Sequence, residues 1–291
     1  MRINHFPFYL LLIIGVLISC EHPDIPERID TGKANLTVNV ATVEHIPFPA
    51  FTTRASVSDA FSKISIAVFD YSTGKRADVS NKSRDDNGYG SASFFLPSGT
   101  YQVVVIGHSA KQNPTTTDAS KIQFTKATGY SDTFLHSEIV EVGDTPVVVN
   151  ADVQRIVSLC RVVIADTIPD NVTKLHFEYT GGSGHFDPST GYGISTSGKN
   201  QQMDFDAVAG RDSTVYDLYT FLPDDAGSIH LKAQAKDAED NTVCAREIDV
   251  PLKRRQISKL SGNFFSGASG STITIVISVD DEWEGETIIN F

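Results

Sequence analysis

Along most of the chain, apolar and polar residues alternate with a period of two. Ala34 to Val43 (ANLTVNVATV) sets Leu36, Val38 and Val40 against Asn35, Thr37 and Asn39. Residues that alternate in this way point to opposite faces of an extended strand. Lys63 to Tyr71 (KISIAVFDY) is β-branched and aromatic, the composition favoured on a pleated surface. Further strands are predicted at 90–96, 100–107, 134–141, 146–153, 155–165, 172–180, 203–209, 214–222, 228–236, 242–250 and 271–279, separated by clusters of Gly, Pro, Asn, Asp and Ser. No dozen residues keep an apolar stripe at helical spacing. The segment 155–165 (RIVSLCRVVIA) has the length of a short buried helix, but its β-branched content favours strand. Short helical turns are expected near 56–62 and 116–121. The pattern predicts an all-β chain.

One local pattern is sharper. Phe95-Leu96-Pro97-Ser98-Gly99 precedes Thr100-Tyr101-Gln102-Val103-Val104-Val105. Pro and Gly supply turn dihedrals, and Tyr101, Val103 and Val105 share a face. The segment resembles the hairpin of transthyretin-like sandwiches. Phe221-Leu222-Pro223 repeats the triplet later, ahead of Ser228-Ile229-His230-Leu231. The echo suggests two similarly built β-sandwich domains in tandem, 34–154 and 155–291.

The first residues break the β pattern. MRINHFPFYLLLIIGVLISC places Arg2 and the free amine before an apolar run from Phe6 to Ile18. A helix of that length rises about 20 Å, short of the ~30 Å hydrocarbon core, so the run reads as a signal-peptide core. It ends in Leu17-Ile18-Ser19-Cys20, which resembles a bacterial lipobox. That resemblance implies a signal peptide 1–19, cleavage before Cys20, and acylation (diacylglycerol and palmitate) at Cys20. Several acyl chains hold far more firmly than one, because each buried CH₂ adds about 0.8 kcal/mol. Residues 20–33, polar and Pro-bearing beyond Cys20, read as a lipidated tether.

Composition narrows the function. The 291 residues carry 24 Lys+Arg against 36 Asp+Glu, a net charge of −12 that argues against nucleic acid. The eight His form no HExxH, and no CxxC exists. His185-Phe186-Asp187 reads as a surface loop more readily than as a metal site. Gly193-Ile-Ser-Thr-Ser-Gly198-Lys199-Asn200 nearly matches a phosphate loop, but Asn200 lacks the Mg²⁺-binding hydroxyl and no helix follows. Ser183 in GGSGH lacks the last glycine of a nucleophile elbow. The acidic run from Asp280 to Glu286 reads as a solvated strand end. Cys160 and Cys244 are placed to pair or to lie buried separately, the second being favoured. No enzymatic activity, metal or cofactor is expected.

Taken together, several segments resemble the fimbrial anchor (minor fimbrial subunit) lipoproteins, which are related to the fimbrillins of type V pili. They are the lipobox at Cys20, the strand 34–43, Thr53-Arg54-Ala55, Ile64–Asp70 with Gly74, Arg155 opening Ile156–Ala165, Val250–Gly262, and the end from Ile273 to Gly285. Arg255 departs from the resemblance, which would place Asn there. The resemblance implies two transthyretin-like sandwiches and a pilus-anchoring or assembly role at the outer membrane, with other fimbrial subunits as partners through strand exchange. It also implies a choice at Arg54–Ala55. An anchor keeps its first strand and its lipid, whereas a stalk or tip subunit is cut there. The alternative function is capture of a host ligand or glycan at the cell surface, for which Tyr179, Tyr192, Tyr216, Tyr219 and Trp283 are the candidate platform rings.

Overall fold

Strand-forming sequence becomes sheet throughout the computed structural model, which describes residues 34–43, 60–194, 201–266, 275–277 and 286–290. All nineteen elements of the described residues are strands. The first nine are β1 (Leu36–Val43), β2 (Lys63–Asp70), β3 (Arg76–Ser83), β4 (Ser91–Phe94), β5 (Gly99–His108), β6 (Thr115–Asp118), β7 (Lys121–Gln123), β8 (Thr133–Val142) and β9 (Val147–Arg155). Seven of them join in the order β3-β2-β5-β8-β9-β1-β4. β8 and β9 pair only at Phe134–Arg155 and Leu135–Gln154. The sheet therefore folds over at that corner into two leaves, β3-β2-β5-β8 and β9-β1-β4. Between them lie Leu36, Val38, Ile64, Ile66, Val68, Phe94, Tyr101, Val103, Val105, Phe134 and Val149.

The remaining strands are β10 (Ser158–Ile164), β11 (Lys174–Thr180), β12 (His185–Phe186), β13 (Gln201–Asp206), β14 (Thr214–Thr220), β15 (Ala226–Lys236), β16 (Thr242–Lys253), β17 (Ile257–Gly262), β18 (Ile275–Ile277) and β19 (Glu286–Asn290). They form β14-β10-β17-β19-β18 and β13-β11-β15-β16. A second core, including Cys160, Val162, Leu175, Phe177, Tyr179, Leu218, Leu231 and Leu252, fills the space between these sheets.

The two sandwiches repeat one topology. β1 pairs antiparallel with β4 and parallel with β9. β10 likewise pairs antiparallel with β14 and parallel with β17. β2 lies antiparallel between β3 and β5, and β5 pairs on with β8. β11 lies antiparallel between β13 and β15, and β15 pairs on with β16. The repeat explains the two Phe-Leu-Pro triplets. The expected hairpin at 95–99 does not form, because β4 pairs with β1 and β5 with β2. The triplet instead carries the chain from one leaf to the other, and Tyr101 Oη closes the corner by donating to the Pro97 carbonyl at 2.9 Å. Phe221-Leu222-Pro223 makes the same crossing, from β14 to β15.

A third core joins the halves within one compact unit, Ala34–Phe291. It takes Phe69, Val104, Ile106 and Phe124 from the first half and Ile156, Leu159, Phe186, Phe221 and Ile257 from the second. β2 and β5 are therefore covered on both faces. Their continuous apolar runs, IAVF and VVVIG, follow from this, since full burial removes the need for a polar alternate face.

Three further expectations are corrected. The helical turn near 116–121 is a β6–β7 hairpin. Its Thr run is β-branched, and Asp118 Oδ1 accepts from the Ser120 amide and hydroxyl to make the turn. His185 and Phe186 are buried and not in a surface loop, because β12 pairs with β7 across the junction. The strand expected from 155 begins at Ser158, while Arg155 closes β9.

Candidate functional site: the groove filled by the first strand

β1 is the one element of the first sandwich that precedes the long segment holding Arg54, and it sits inside a sheet. Its residues 36–39 face β4, with Leu36 opposite Phe94 and Val38 opposite Ala92. On the other side, Leu36 to Val43 face β9, from Val147 to Val153. A bulge between Val40 and Thr42 inserts Ala41 unpaired and shifts the alternation by one residue. Val40 and Val43 both pack against the core as a result.

Leu36 and Val38 are 0% exposed. Asn35 extends the pairing with its side chain. Its Nδ2 donates to the Leu96 carbonyl at 2.7 Å, and its Oδ1 accepts from the Leu96 amide at 2.9 Å. Ser91 Oγ donates to Asn39 Oδ1 at 2.7 Å. No charged residue occurs in 34–43, so neither insertion nor removal of the strand moves a charge between water and the interior. Without β1, both β4 and β9 would expose an unpaired backbone edge around an apolar slot. Such edges are templates for another strand.

The end of β9 is held by charge. Arg155 donates from Nε and Nη2 to both oxygens of Asp132, the shortest contact being 2.7 Å. Its guanidinium lies 4.9 Å from the Phe134 ring centroid. Nearby, His108 is 0% exposed, its ring edge-on to Phe124 at 5.5 Å. Neither ring nitrogen has a hydrogen-bond partner among the described residues. Burial first, and then the Lys63 charge, lower its pKa to about 4.

Cys20, Arg54 and Ala55 lie outside the described residues, as do residues 195–200 of the phosphate-loop-like segment, the acidic run from Asp280 to Gly285, and Trp283. Cys160 and Cys244 are free thiols, and burial pushes Cys160 up to about 12. Among the described residues, no group of three or more His, Cys, Asp or Glu is placed to hold a metal ion, and no helix is long and apolar enough to cross a membrane. Tyr179 and Tyr216 are core residues; Tyr216 also lines an open cavity with Asp206, Arg211 and Asp212, and Tyr192 carries the Arg254 guanidinium 4.2 Å from its ring centroid. Sequence reasoning missed the Asn35 clasp, for which a polar residue just ahead of an alternating strand gives little signal.

A model of a family of unknown function, DUF6562, matches residues 26–291. The chain belongs to that family. No curated protein matches the sequence. Solved structures similar to this DUF6562 chain include a candidate adhesin of Bacteroides ovatus, 12% identical, with 81% of this chain and 88% of that one covered and a TM-score of 0.48. The fimbrial anchor protein Mfa2 of Porphyromonas gingivalis is 9% identical, with 73% and 81% covered and a TM-score of 0.42. A fimbrial assembly protein of Parabacteroides distasonis is 14% identical, with 87% and 97% covered and a TM-score of 0.36. At these scores the likenesses do not by themselves assign a function to the DUF6562 chain.

Proposed function

We propose that this chain is a lipid-anchored outer-membrane protein that serves as an anchor or assembly subunit of a fimbria, joining other subunits through β-strand complementation. One observation carries the reading: β1, the strand nearest the proposed lipidated Cys20, is hydrogen-bonded on both sides and buries Leu36 and Val38 completely. While β1 stays in place it fills the slot between β4 and β9, so the first sandwich cannot accept a strand there. Lipid and plug lie on the same stretch of chain, so one cut after Arg54 would remove both and open the slot. In the second sandwich the equivalent strand, β10, follows β9 after two residues. That half therefore has no comparable release point. We place the two domains at 34–154 and 155–291, after a signal peptide 1–19 and a tether 20–33.

The test is copurification from native outer membranes. The wild-type protein is expected in the outer-membrane fraction with other fimbrial proteins bound, and Cys20→Ala is expected to leave the membrane. An unchanged membrane fraction for Cys20→Ala, or a wild-type protein free of fimbrial partners, contradicts the proposal. A protein incorporated along the fimbrial shaft and starting at Ala55 would be a polymerising or tip subunit instead.

A further inference from the structure

The turn between β16 and β17 carries three consecutive cations, Lys253-Arg254-Arg255, in a chain of net charge −12. With Asp225 and Gln256 they line an open cavity of about 410 Å³, within the size range of small-ligand sites. The cavity lies at the seam of the two sandwiches. The Arg255 amide donates to the Val157 carbonyl at 3.2 Å, and Arg255 Nη2 donates to Gln154 Oε1 at 2.9 Å.

The site is built rather than incidental. Arg254 lies over the Tyr192 ring, its Cζ 4.2 Å from the centroid, and Nη2 donates to the Thr190 carbonyl at 3.1 Å. Tyr192 Oη donates to Asp225 Oδ1 at 2.7 Å, and the Arg254 amide donates to the Asp225 carbonyl at 2.8 Å. Gly191 has φ +71°, and a Cβ there would come within 2.8 Å of Arg254 Nη2 and 2.7 Å of Ile156 Cγ2. A larger residue would push the guanidinium off the ring. Arg255 holds φ 61° without being glycine, a strained conformation of the kind that clusters at ligand sites. Among the described residues, no carboxylate oxygen lies within 4.0 Å of the Lys253 ammonium or the Arg254 guanidinium. Burial, and then the Arg255 charge, hold the Arg254 pKa below its ordinary value, against the opposing pull of Tyr192 and Asp225.

We infer that this cavity binds an acidic saccharide, a sugar residue carrying a carboxylate or sulfate. The cations match the acidic group, since Arg pairs with planar oxyanions through two parallel hydrogen bonds. Asp225 is exposed beside them, and its carboxylate is placed to accept from sugar hydroxyls, a contact that offsets its repulsion of the acidic group and that inorganic phosphate, with no sugar hydroxyls, gains less of. The lining holds no apolar side chain, so it offers no pocket for the hydrophobic anchors that peptides use. Gln256 and Lys253 extend the polar rim. This inference does not depend on the anchor reading, because none of the residues lining the cavity belongs to β1.

The experiment is calorimetric titration of the purified full-length mature protein with N-acetylneuraminic acid, glucuronic acid and N-acetylglucosamine 6-sulfate. N-acetylglucosamine and inorganic phosphate serve as controls. At least one acidic sugar is expected to bind about tenfold more tightly than either control, with affinity falling as salt rises. Lys253→Gln, an exposed substitution that leaves the fold intact, and Arg254→Gln are each expected to lower that affinity, Arg254→Gln by about tenfold. Asp225→Asn is expected to weaken the sugar and strengthen phosphate. Absence of binding by all three acidic sugars overturns the inference. So does equal binding of the neutral sugar, phosphate binding as tight as the sugar's, or unchanged affinity in Lys253→Gln with Arg254→Gln.

Discussion

Truncating Leu36 to alanine tests whether β1 acts as a plug. Leu36 is 0% exposed, opposite Phe94 on one side and Val147 on the other. The substitution removes buried methyl groups and leaves a cavity that hydrogen-bonded neighbours on both sides cannot collapse into. Leu→Ala changes at such sites cost about 2.7–5 kcal/mol, and about 3–4 kcal/mol is expected here. For a cooperative unit of this size, each kcal/mol lowers Tm by about 2–4 °C, so scanning calorimetry should record a drop of about 6–16 °C. Thr37, the next residue, faces the other way and makes only a 3.3 Å hydroxyl contact with Ser93. Thr37→Ala should stay within about 0.5 kcal/mol of wild type. A second readout follows occupancy of the groove. A labelled peptide of residues 34–43 should not enter the wild-type protein, yet should exchange into Leu36→Ala as the resident strand loosens. A Tm change under about 2 °C for Leu36→Ala, or an equal loss for Thr37→Ala, would refute the reasoning.

The junction between the halves should respond to acid. Burial and the Lys63 charge lower the folded His108 pKa to about 4, against 6.5 for an ordinary imidazole, so the unfolded chain takes up its proton first. Its stabilising contribution is present above pH 6.5 and is lost as pH falls toward 4, for a total of about 3 kcal/mol; urea melts of wild type and His108→Leu across that window should differ by this slope. Asp132→Asn removes the carboxylate that faces Arg155 and is expected to cost about 2–4 kcal/mol in urea unfolding, whereas the exposed Lys174–Asp240 pair should give under about 1 kcal/mol when broken. Gly191→Ala is strained by φ and by its contacts with Ile156 and Arg254, and about 1–3 kcal/mol of lost stability is expected, with release of the Arg254–Tyr192 stack visible in tyrosine fluorescence.

Much of the fold is legible because strand alternation is local. Leu36, Val38, Tyr101, Val103 and Val105 fall on the faces that the period assigns. What alternation does not carry is the partner. Phe95-Leu96-Pro97 signals a corner, but whether the chain doubles back or crosses to the facing leaf depends on β1, some sixty residues earlier, already occupying the position beside β4. β3 was invisible for another reason: Arg76–Ser83 (RADVSNKS) is an exposed edge strand, held by backbone pairing to β2, and polar edge sequence resembles loop. His185 and Phe186 lie in a glycine-rich stretch whose burial comes only from docking on β7. The candidate site was legible in part. The alternating strand near Cys20 announced itself, while the role of Asn35 and the joining of Tyr192 to Arg254 depend on residues 61–62 positions apart in sequence.

The most direct test of the central claim is the N-terminus of the protein as it stands in native outer membranes, read by intact mass and terminal sequencing. The account predicts a chain beginning at an acylated Cys20, with β1 still covalently attached. A mature chain beginning at Ala55, lacking both lipid and plug, would contradict it.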